Sequence, residues 1–251
     1  MKIGDRENEA ELMSLLPSIR SNRNEWIVLR VVMMKSCETP KEEVVNKILQ
    51  LYRNYEGVIY TDNENKIICL VRMGMIQNYM RIKTDLEEKL PRNSCRVMAR
   101  PMTSSGLKQI QIDLMNKDNS TMSMFSERER RKGNVLMIAD DDAFVRKAVK
   151  QILAFFGEVV EAENGDGVVG TYMNNNPDVI LLDIHMPGKN GLELIDTIMQ
   201  MDPDAYIIIL SGDSVKENVL EAIDKGAVGF LTKPPKREKV IEYLNQCITI
   251  V

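Results

Sequence analysis

Long apolar runs and spaced cysteine pairs are both missing from this 251-residue sequence. No run approaches the roughly 18 apolar residues needed to cross a bilayer, and the first residues are rich in acids, unlike a signal peptide. The cysteines Cys37, Cys69, Cys95 and Cys247 lack the spacing of a metal site. These absences predict a cytoplasmic protein whose cysteines are reduced thiols and form no disulfide framework.

The composition that remains is typical of a globular protein, with 44% hydrophobic and 28% charged residues. The length allows two domains of about 120 residues each. Basic residues outnumber acidic ones up to Lys132, and acidic residues dominate after it, giving a formal net charge of -4. A basic half leaves nucleic-acid binding open, but solvated faces explain the charge as well, and aromatic and basic residues do not interleave. We therefore expect neither a nucleic-acid nor a membrane partner.

Residues 1–115 follow a β-α-β-β-α-β order, which predicts an α+β ferredoxin-like domain. Strands are predicted from β-branched apolar runs at 26–33, 57–61, 66–72 and 95–100. Helical spacing predicts one helix after Pro40, another over 79–90, and a short leading helix over 7–16 that ends at Pro17.

This arrangement is similar to the palm of diguanylate-type nucleotide cyclases. In that family the first strand ends in a metal-binding acid, and the hairpin carries the signature turn. Here the first strand ends in Met33-Met34-Lys35-Ser36, and the turn Asp62-Asn63-Glu64-Asn65 has no Gly-Gly pair. Two-metal chemistry needs acidic oxygens at these places. The domain therefore resembles a degenerate palm and is expected to be catalytically inactive, with a receiver-regulated nucleotide-binding enzyme as the alternative.

Residues 116–133 are polar and contain a mixed Glu-Arg-Glu-Arg-Arg-Lys run. Such composition is typical of a linker between two domains. A helical continuation that transmits motion between the domains is the alternative.

From residue 134 onwards, strands and helices alternate. Strands are predicted at 134–139, 158–162, 179–183, 206–211 and 229–232, with helices between them and a last helix over 236–248. This alternation predicts an α/β domain over 134–251, a doubly wound parallel sheet of five strands with helices on both faces. Folds of this kind bind their ligands where the carboxyl ends of the strands meet.

Charged and hydroxyl side chains stand at those strand ends. Asp140 and Asp141 close the first strand, Asp183 the third and Ser211 the fourth, and Lys233 follows the fifth. Carboxylates that converge repel one another unless a cation neutralises them, and oxygen ligands select Mg²⁺. A lysine and a hydroxyl suit the charged oxygens of a transferred phosphoryl group. We therefore predict that the Asp183 carboxylate is a nucleophile and that its product is an aspartyl phosphate.

Residues 134–251 resemble the receiver domain of two-component response regulators, which has a flavodoxin-like fold. The matching motifs are Asp140-Asp141, Asp183 with Met186-Pro187 and Gly191, Ser211-Gly212, and Phe230-Leu231-Thr232-Lys233-Pro234.

The resemblance implies that Asp183 accepts a phosphoryl group from a sensor histidine kinase or a phosphotransfer protein. It also implies that Mg²⁺ is held by Asp141, Asp183 and the backbone carbonyl of His185, with Asp140 supporting the ion through water. Lys233 would pair with the phosphate, and the peptide bond before Pro234 would be cis.

Several of these residues also have simpler interpretations. Asp142 is predicted to be the N-cap of the following helix, with no metal role. The family's switch would use the Ser211 hydroxyl and an inward Phe230, but Phe230 is equally consistent with permanent core and lacks a tyrosine's hydroxyl. His185, the single histidine, is expected to line the entrance to the site and not to donate the phosphoryl group.

The receiver lies in the C-terminal half of this sequence, and no helix-turn-helix pattern precedes it. We therefore expect a regulator that signals through its N-terminal, non-DNA-binding domain or by forming a homodimer through the receiver. The expected surface comprises the fourth helix, the fifth strand and the fifth helix of the receiver.

Overall fold

The structure is a computed structural model that describes residues 1–3, 10–34, 39–61, 66–75, 79–91, 94–102, 107, 124–202, 204–212 and 216–250. The chain divides into two compact units, Met1–Lys117 and Asp118–Val251. Among the described helices, none has the length and hydropathy needed to cross a membrane.

The first unit is built on a five-stranded sheet with the order β1-β3-β4-β2-β5. Its strands are β1 (Lys2–Ile3), β2 (Trp26–Met33), β3 (Gly57–Thr61), β4 (Lys66–Arg72) and β5 (Cys95–Pro101). Its helices are α1 (Ala10–Ser21), α2 (Lys41–Leu51) and α3 (Tyr79–Lys89), and a 3-10 turn covers Arg23–Glu25. Strand β2 is antiparallel to β4 and β5, β3 is antiparallel to β4, and β1 adds a parallel pairing with β3.

The predicted hairpin is confirmed, since Gly57 pairs with Val71 and Thr61 with Ile67. Its turn, including Asp62 and Glu64, lies outside the described residues.

Both faces of this sheet are covered because successive strand residues point to opposite sides. Ile27 and Leu29 of β2 pack in one core with residues of α2 and α3. Trp26 packs on the other side with Leu12 and Leu16 of α1.

The prediction that the leading helix ends at Pro17 is wrong, because α1 continues through Pro17 to Ser21. Proline inside a helix removes one hydrogen bond and costs about 3 kcal/mol. Leu16 and Ile19, on either side of Pro17, are buried in the core beside Trp26. Burial of these side chains outweighs the cost of the proline.

The second unit alternates strands and helices after an initial helix. Its strands are β6 (Val135–Ala139), β7 (Glu158–Ala162), β8 (Val179–Asp183), β9 (Ile207–Ser211) and β10 (Gly229–Thr232). Its helices are α4 (Met124–Arg130), α5 (Ala143–Leu153), α6 (Gly165–Asn175), α7 (Gly191–Met201), α8 (Lys216–Lys225) and α9 (Arg237–Leu244).

The sheet of the second unit has the order β10-β9-β8-β6-β7, and every pairing is parallel. This is the order of flavodoxin-like doubly wound folds, so the predicted α/β class and five-stranded parallel sheet are confirmed for this half. All residues of β8 and β9 are buried. The ends of these two strands therefore present Asp183 and Ser211 at the carboxyl edge of the sheet.

Helix α4 lies within the stretch 116–133 that the sequence assigns to a linker, and it packs on the second unit. Its Arg128 is buried, and Nη1 of Arg128 lies 2.5 Å from Oδ2 of Asp202. The same nitrogen donates to the Tyr172 hydroxyl at 3.3 Å and to Oδ1 of Asn176 at 3.2 Å. Tyr172 in turn donates to Asp202 at 2.7 Å. Each charge in this buried group therefore has partners.

A second arginine, Arg131, forms a salt bridge with the buried Asp178, which also accepts a hydrogen bond from the Val135 amide at 2.8 Å. Asp178 directly precedes β8, and Asp202 lies between α7 and β9. Helix α4 is therefore anchored at the amino edge of the sheet, opposite the edge that carries Asp183.

We expect Arg128→Met to lower the free energy of unfolding of the second unit by about 3 kcal/mol, because it leaves Asp202 buried without its cation. Denaturant titration combined with amide hydrogen exchange measures this loss and assigns it to the second unit. Arg130→Met, on the exposed side of the same helix, is the control and should cost less than about 1 kcal/mol. Equal effects of the two variants would show that the buried ion pair does not stabilise the unit.

Candidate functional site

Three acidic side chains meet at the carboxyl edge of the second sheet. Asp140 and Asp141 follow β6, and Asp183 ends the neighbouring strand β8, with Ala139 paired to Leu182. One carboxylate oxygen from each lies within 4.8 Å of the others. Asp140 and Asp183 are 0% and 2% exposed, whereas Asp141 is exposed. The structure thus brings together the acids that the sequence predicts to converge.

Lys233 reaches this acid cluster from the loop after β10. Its Nζ lies 2.7 Å from Oδ2 of Asp140 and 2.7 Å from Oδ2 of Asp183. Its amide donates to the Ser211 carbonyl at 2.9 Å, and the Lys233–Pro234 peptide bond is cis, as the resemblance implies. The ammonium group therefore bridges the two buried carboxylates.

Among the described residues, the charges of the site do not balance, since three carboxylates meet there and one ammonium, that of Lys233, pairs with two of them. Burial raises the pKa of Asp140, and hydrogen bonds from Lys233 and from the Asp142 amide only partly offset it. Burial also acts to lower the pKa of Lys233, but its hydrogen bonds with Asp140 and Asp183 outweigh this and leave that pKa above the ordinary value. The lysine stays charged, and the site still lacks positive charge.

These residues fit a divalent cation. The donors are all carboxylate oxygens, which are the ligands that Mg²⁺ prefers. Two of them are buried in the floor of the site and the third, on Asp141, is exposed to solvent. A cation at this position would relieve the repulsion among the three converging carboxylates.

The loop after β8 fixes the orientation of Asp183. The His185 amide donates to Oδ1 of Asp183 at 3.2 Å, while the His185 side chain is exposed. Gly188 has a φ of +87°, and a Cβ on Gly191 would lie 2.4 Å from the Asp183 carbonyl oxygen. Only glycine allows this close return of the chain onto the end of β8.

The two residues of the predicted switch lie on the strands beyond Asp183. Ser211 is fully buried at the end of β9, one residue past Leu210, the pairing partner of Asp183. Phe230 of β10 is partly buried against the core of the second unit. Asp142 caps α5, as expected, by accepting from the Phe144 amide at 2.8 Å and from the Val145 amide at 3.4 Å.

Arg146, which no sequence motif singled out, holds the backbone of the acid pair. Its Nη1 donates to the carbonyls of Asp140 at 2.8 Å and Asp141 at 3.0 Å, and its Nη2 donates to Glu163 at 2.9 Å. Arg146 shares the buried face of α5 with Val149 and Leu153. A charge on an otherwise apolar stripe was the signal that could have identified it.

Comparison with known proteins assigns the second unit to a family. Residues 136–245 match the family described as "Response regulator receiver domain". The chain is 40% identical to chemotaxis protein CheY of Thermotoga maritima over 116 residues, which are 45% of this chain and 97% of that protein. It is 37% identical to chemotaxis protein CheY of Bacillus subtilis over 115 residues, 45% of this chain and 96% of that protein.

A solved CheY-like receiver domain protein from Methanospirillum hungatei is 26% identical, with a TM-score of 0.44, covering 46% of this chain and 93% of its own. The assignment to a family rests on the relatives found by sequence alone. The chain belongs to the response regulator receiver family, and it is a two-component response regulator.

We expect Asp140→Asn to raise the free energy of unfolding of the metal-free protein at neutral pH, by on the order of 1 kcal/mol. Because burial raises the pKa of Asp140 in the folded state, ionised Asp140 opposes folding above that pKa. The gain should shrink as the pH falls through the raised pKa, since wild-type Asp140 then becomes neutral. Denaturant titration in a chelator measures the difference.

The exposed Asp224 provides the control, because Asp224→Asn should leave stability within about 0.5 kcal/mol of wild type. A loss of stability in Asp140→Asn would contradict the expectation and show that the pairing with Lys233 dominates.

Proposed function

We propose that Asp183 is the phosphoryl acceptor of this response regulator, in a reaction that requires Mg²⁺. The observation that carries the proposal is a buried carboxylate at the end of a central strand, 2.7 Å from the ammonium of Lys233 and clustered with Asp140 and Asp141. Strongly interacting acids and a lysine at the ligand-binding edge of an α/β sheet are typical of a chemical site.

In the proposed reaction, a carboxylate oxygen of Asp183 attacks the phosphorus of a phosphohistidine. A new P–O bond forms as the P–N bond breaks, and the departing imidazole nitrogen takes up a proton from solvent. Lys233 pairs with the phosphoryl oxygens, and the His185 amide keeps Asp183 oriented. Bound Mg²⁺, held by Asp141, Asp183 and the carbonyl of His185, with Asp140 acting through water, would neutralise charge on the transferred group.

The donor in this proposal is a sensor histidine kinase or a phosphotransfer protein. A partner must supply the phosphohistidine, because the only histidine of this chain, His185, is assigned no donor role. Its exposed ring at the rim of the site suits an effect on the access of water to the phosphoryl group.

We further propose that phosphorylation moves Ser211 and Phe230. Ser211 would bond a phosphoryl oxygen, and Phe230, which is only partly buried, would turn inward behind it. This rearranges the face formed by α8, β10 and α9, which would contact the N-terminal domain or a second copy of the chain.

For the N-terminal domain, over residues 1–115, we propose a ferredoxin-like signalling module without catalysis. Its support is the β-α-β-β-α-β order of β2, α2, β3, β4, α3 and β5, with the spatial order β3-β4-β2-β5. The likeness to a degenerate cyclase palm extends to this order alone, because β2 ends at Met33 and Met34 follows, so no carboxylate stands at the metal-binding place. We take the receiver as 134–251, and α4 as a segment of the linker that docks on it.

We expect the wild-type protein, incubated with Mg²⁺ and phosphoramidate, to gain the mass of one phosphoryl group, and Asp183→Asn to gain none, because an amide is not a nucleophile for this transfer. Intact-protein mass spectrometry in the presence and absence of chelator measures both. Glu193→Gln, an exposed acid on α7, should be phosphorylated like wild type. Labelling of Asp183→Asn would remove Asp183 as the acceptor.

A measurement of molecular mass in solution tests whether the proposed output is a homodimer. If the α8–β10–α9 face forms a homodimer, light scattering of the phosphorylated wild type should give about twice the monomer mass, and Asp183→Asn should not change with phosphodonor. An unchanged mass for a fully phosphorylated wild type would exclude the dimer and favour signalling through the N-terminal domain.

A further inference from the structure

The backbone that carries Asp140 and Asp141 is held by a single side chain from α5. Arg146 is 8% exposed and donates from one nitrogen to both carbonyls, at 2.8 and 3.0 Å. Its own amide donates to the Asp142 carbonyl at 2.9 Å as part of the first turn of α5. Three consecutive carbonyls of the acidic segment are thus bound by one residue.

One peptide group links the contact between Arg146 and the Asp141 carbonyl to the Asp140 carboxylate. The Asp141 carbonyl and the Asp142 amide belong to the same peptide, and that amide donates to Oδ1 of Asp140 at 2.9 Å. A cation that binds the carbonyl end of a peptide strengthens the donor at its amide end, because hydrogen bonds in a chain polarise one another. Arg146 therefore acts on the carboxylate that it does not itself touch.

Acids outside the site hold the guanidinium in place. Glu163, just after β7, accepts from Nη2 of Arg146 at 2.9 Å, and Oε2 of Glu161 lies 3.7 Å from its Nε. The planar guanidinium presents donors on separate nitrogens in a rigid fork, so it bonds the two carbonyls from one nitrogen and the Glu163 carboxylate from another, whereas an ammonium has all its donors on one nitrogen. The orientation of the Asp140–Asp141 backbone is therefore tied to the end of β7.

We propose that Arg146 is a positioning residue of the acid site, which sets the affinity for the divalent cation by fixing the Asp140–Asp141 backbone and polarising the Asp142 amide. The inference deepens the proposed function and rests on it for the identity of the cation. It predicts a role for a residue that contacts neither the cation nor the phosphoryl group. Partners of metal ligands commonly change metal affinity by 10- to 100-fold when removed.

The test compares Arg146→Met with Lys150→Met in the full-length chain. Lys150 lies one turn further along α5 and pairs with Glu161 at 2.5 Å, so it matches Arg146 in helix and partner without reaching the acidic backbone. Calorimetric titration with Mg²⁺ should show affinity lowered at least about tenfold in Arg146→Met and unchanged in Lys150→Met. In the metal-free protein, the Asp142 amide proton resonance should move upfield only in Arg146→Met, since its hydrogen bond weakens.

Two further readouts separate positioning from general damage. The phosphorylation rate of Arg146→Met should recover towards the wild-type value at saturating Mg²⁺, and Arg146→Lys should restore part of the Mg²⁺ affinity. Equal Mg²⁺ affinities in the Met variants, or a phosphorylation rate that stays low at saturating Mg²⁺, would overturn the inference. A wild-type protein that binds Mg²⁺ without gaining a phosphoryl group would instead overturn the proposed function and leave the comparison of affinities intact.

Discussion

The arrangement of side chains around the site in the receiver half depends on one constraint, the repulsion among Asp140, Asp141 and Asp183. The fold gathers one oxygen of each carboxylate within 4.8 Å of the others and buries Asp140 and Asp183, and burial raises the pKa of Asp140. Lys233 bridges the buried pair, and the amides of Asp142 and His185 each donate to one carboxylate. These contacts limit the repulsion without balancing the charge, and the remaining negative charge is the reason that the site fits a cation.

At the opposite edge of the same sheet, buried positive and negative side chains are paired. Arg128 and Asp202 are a matched pair, both nearly inaccessible, with Tyr172 and Asn176 filling further hydrogen-bonding positions. A matched buried pair is costly to break and has little tendency to recruit another ion. Both edges therefore contain buried charges, and the balance of charge distinguishes the edge that stabilises the fold from the edge at which we propose phosphoryl transfer.

The sequence was sufficient for features that follow from local pattern and chain topology. Asp140, Asp141, Asp183 and Lys233 could be grouped because the carboxyl ends of parallel strands share one edge of the sheet. Asp142 could be recognised as a cap from its place before a helix. Pro17 and Arg128 could not be interpreted this way, because the proline is tolerated through tertiary burial and Arg128 binds a carboxylate distant in sequence. For Arg146, the apolar stripe of α5 could indicate a buried charge, but its bonds to the Asp140 and Asp141 carbonyls depend on the folded structure.

Strand β8 and helix α7, which lie on either side of Asp183 in the chain, join the two edges of the sheet. Strand β8 ends at Asp183 and is directly preceded by Asp178, which binds Arg131. Helix α7 begins at Gly191 and is directly followed by Asp202, which binds Arg128. The strand that ends at Asp183 and the helix that follows it are therefore both fixed by ion pairs at the ends remote from Asp183. If Asp183 is phosphorylated as proposed, we expect β9 and β10 to move more readily than β8 and α7, because Ser211 ends one of these strands and the partly buried Phe230 lies on the other. The ion pairs of Arg128 and Arg131 thus agree with the proposed output through the α8–β10–α9 face, since they hold the elements next to Asp183 at the opposite edge of the sheet.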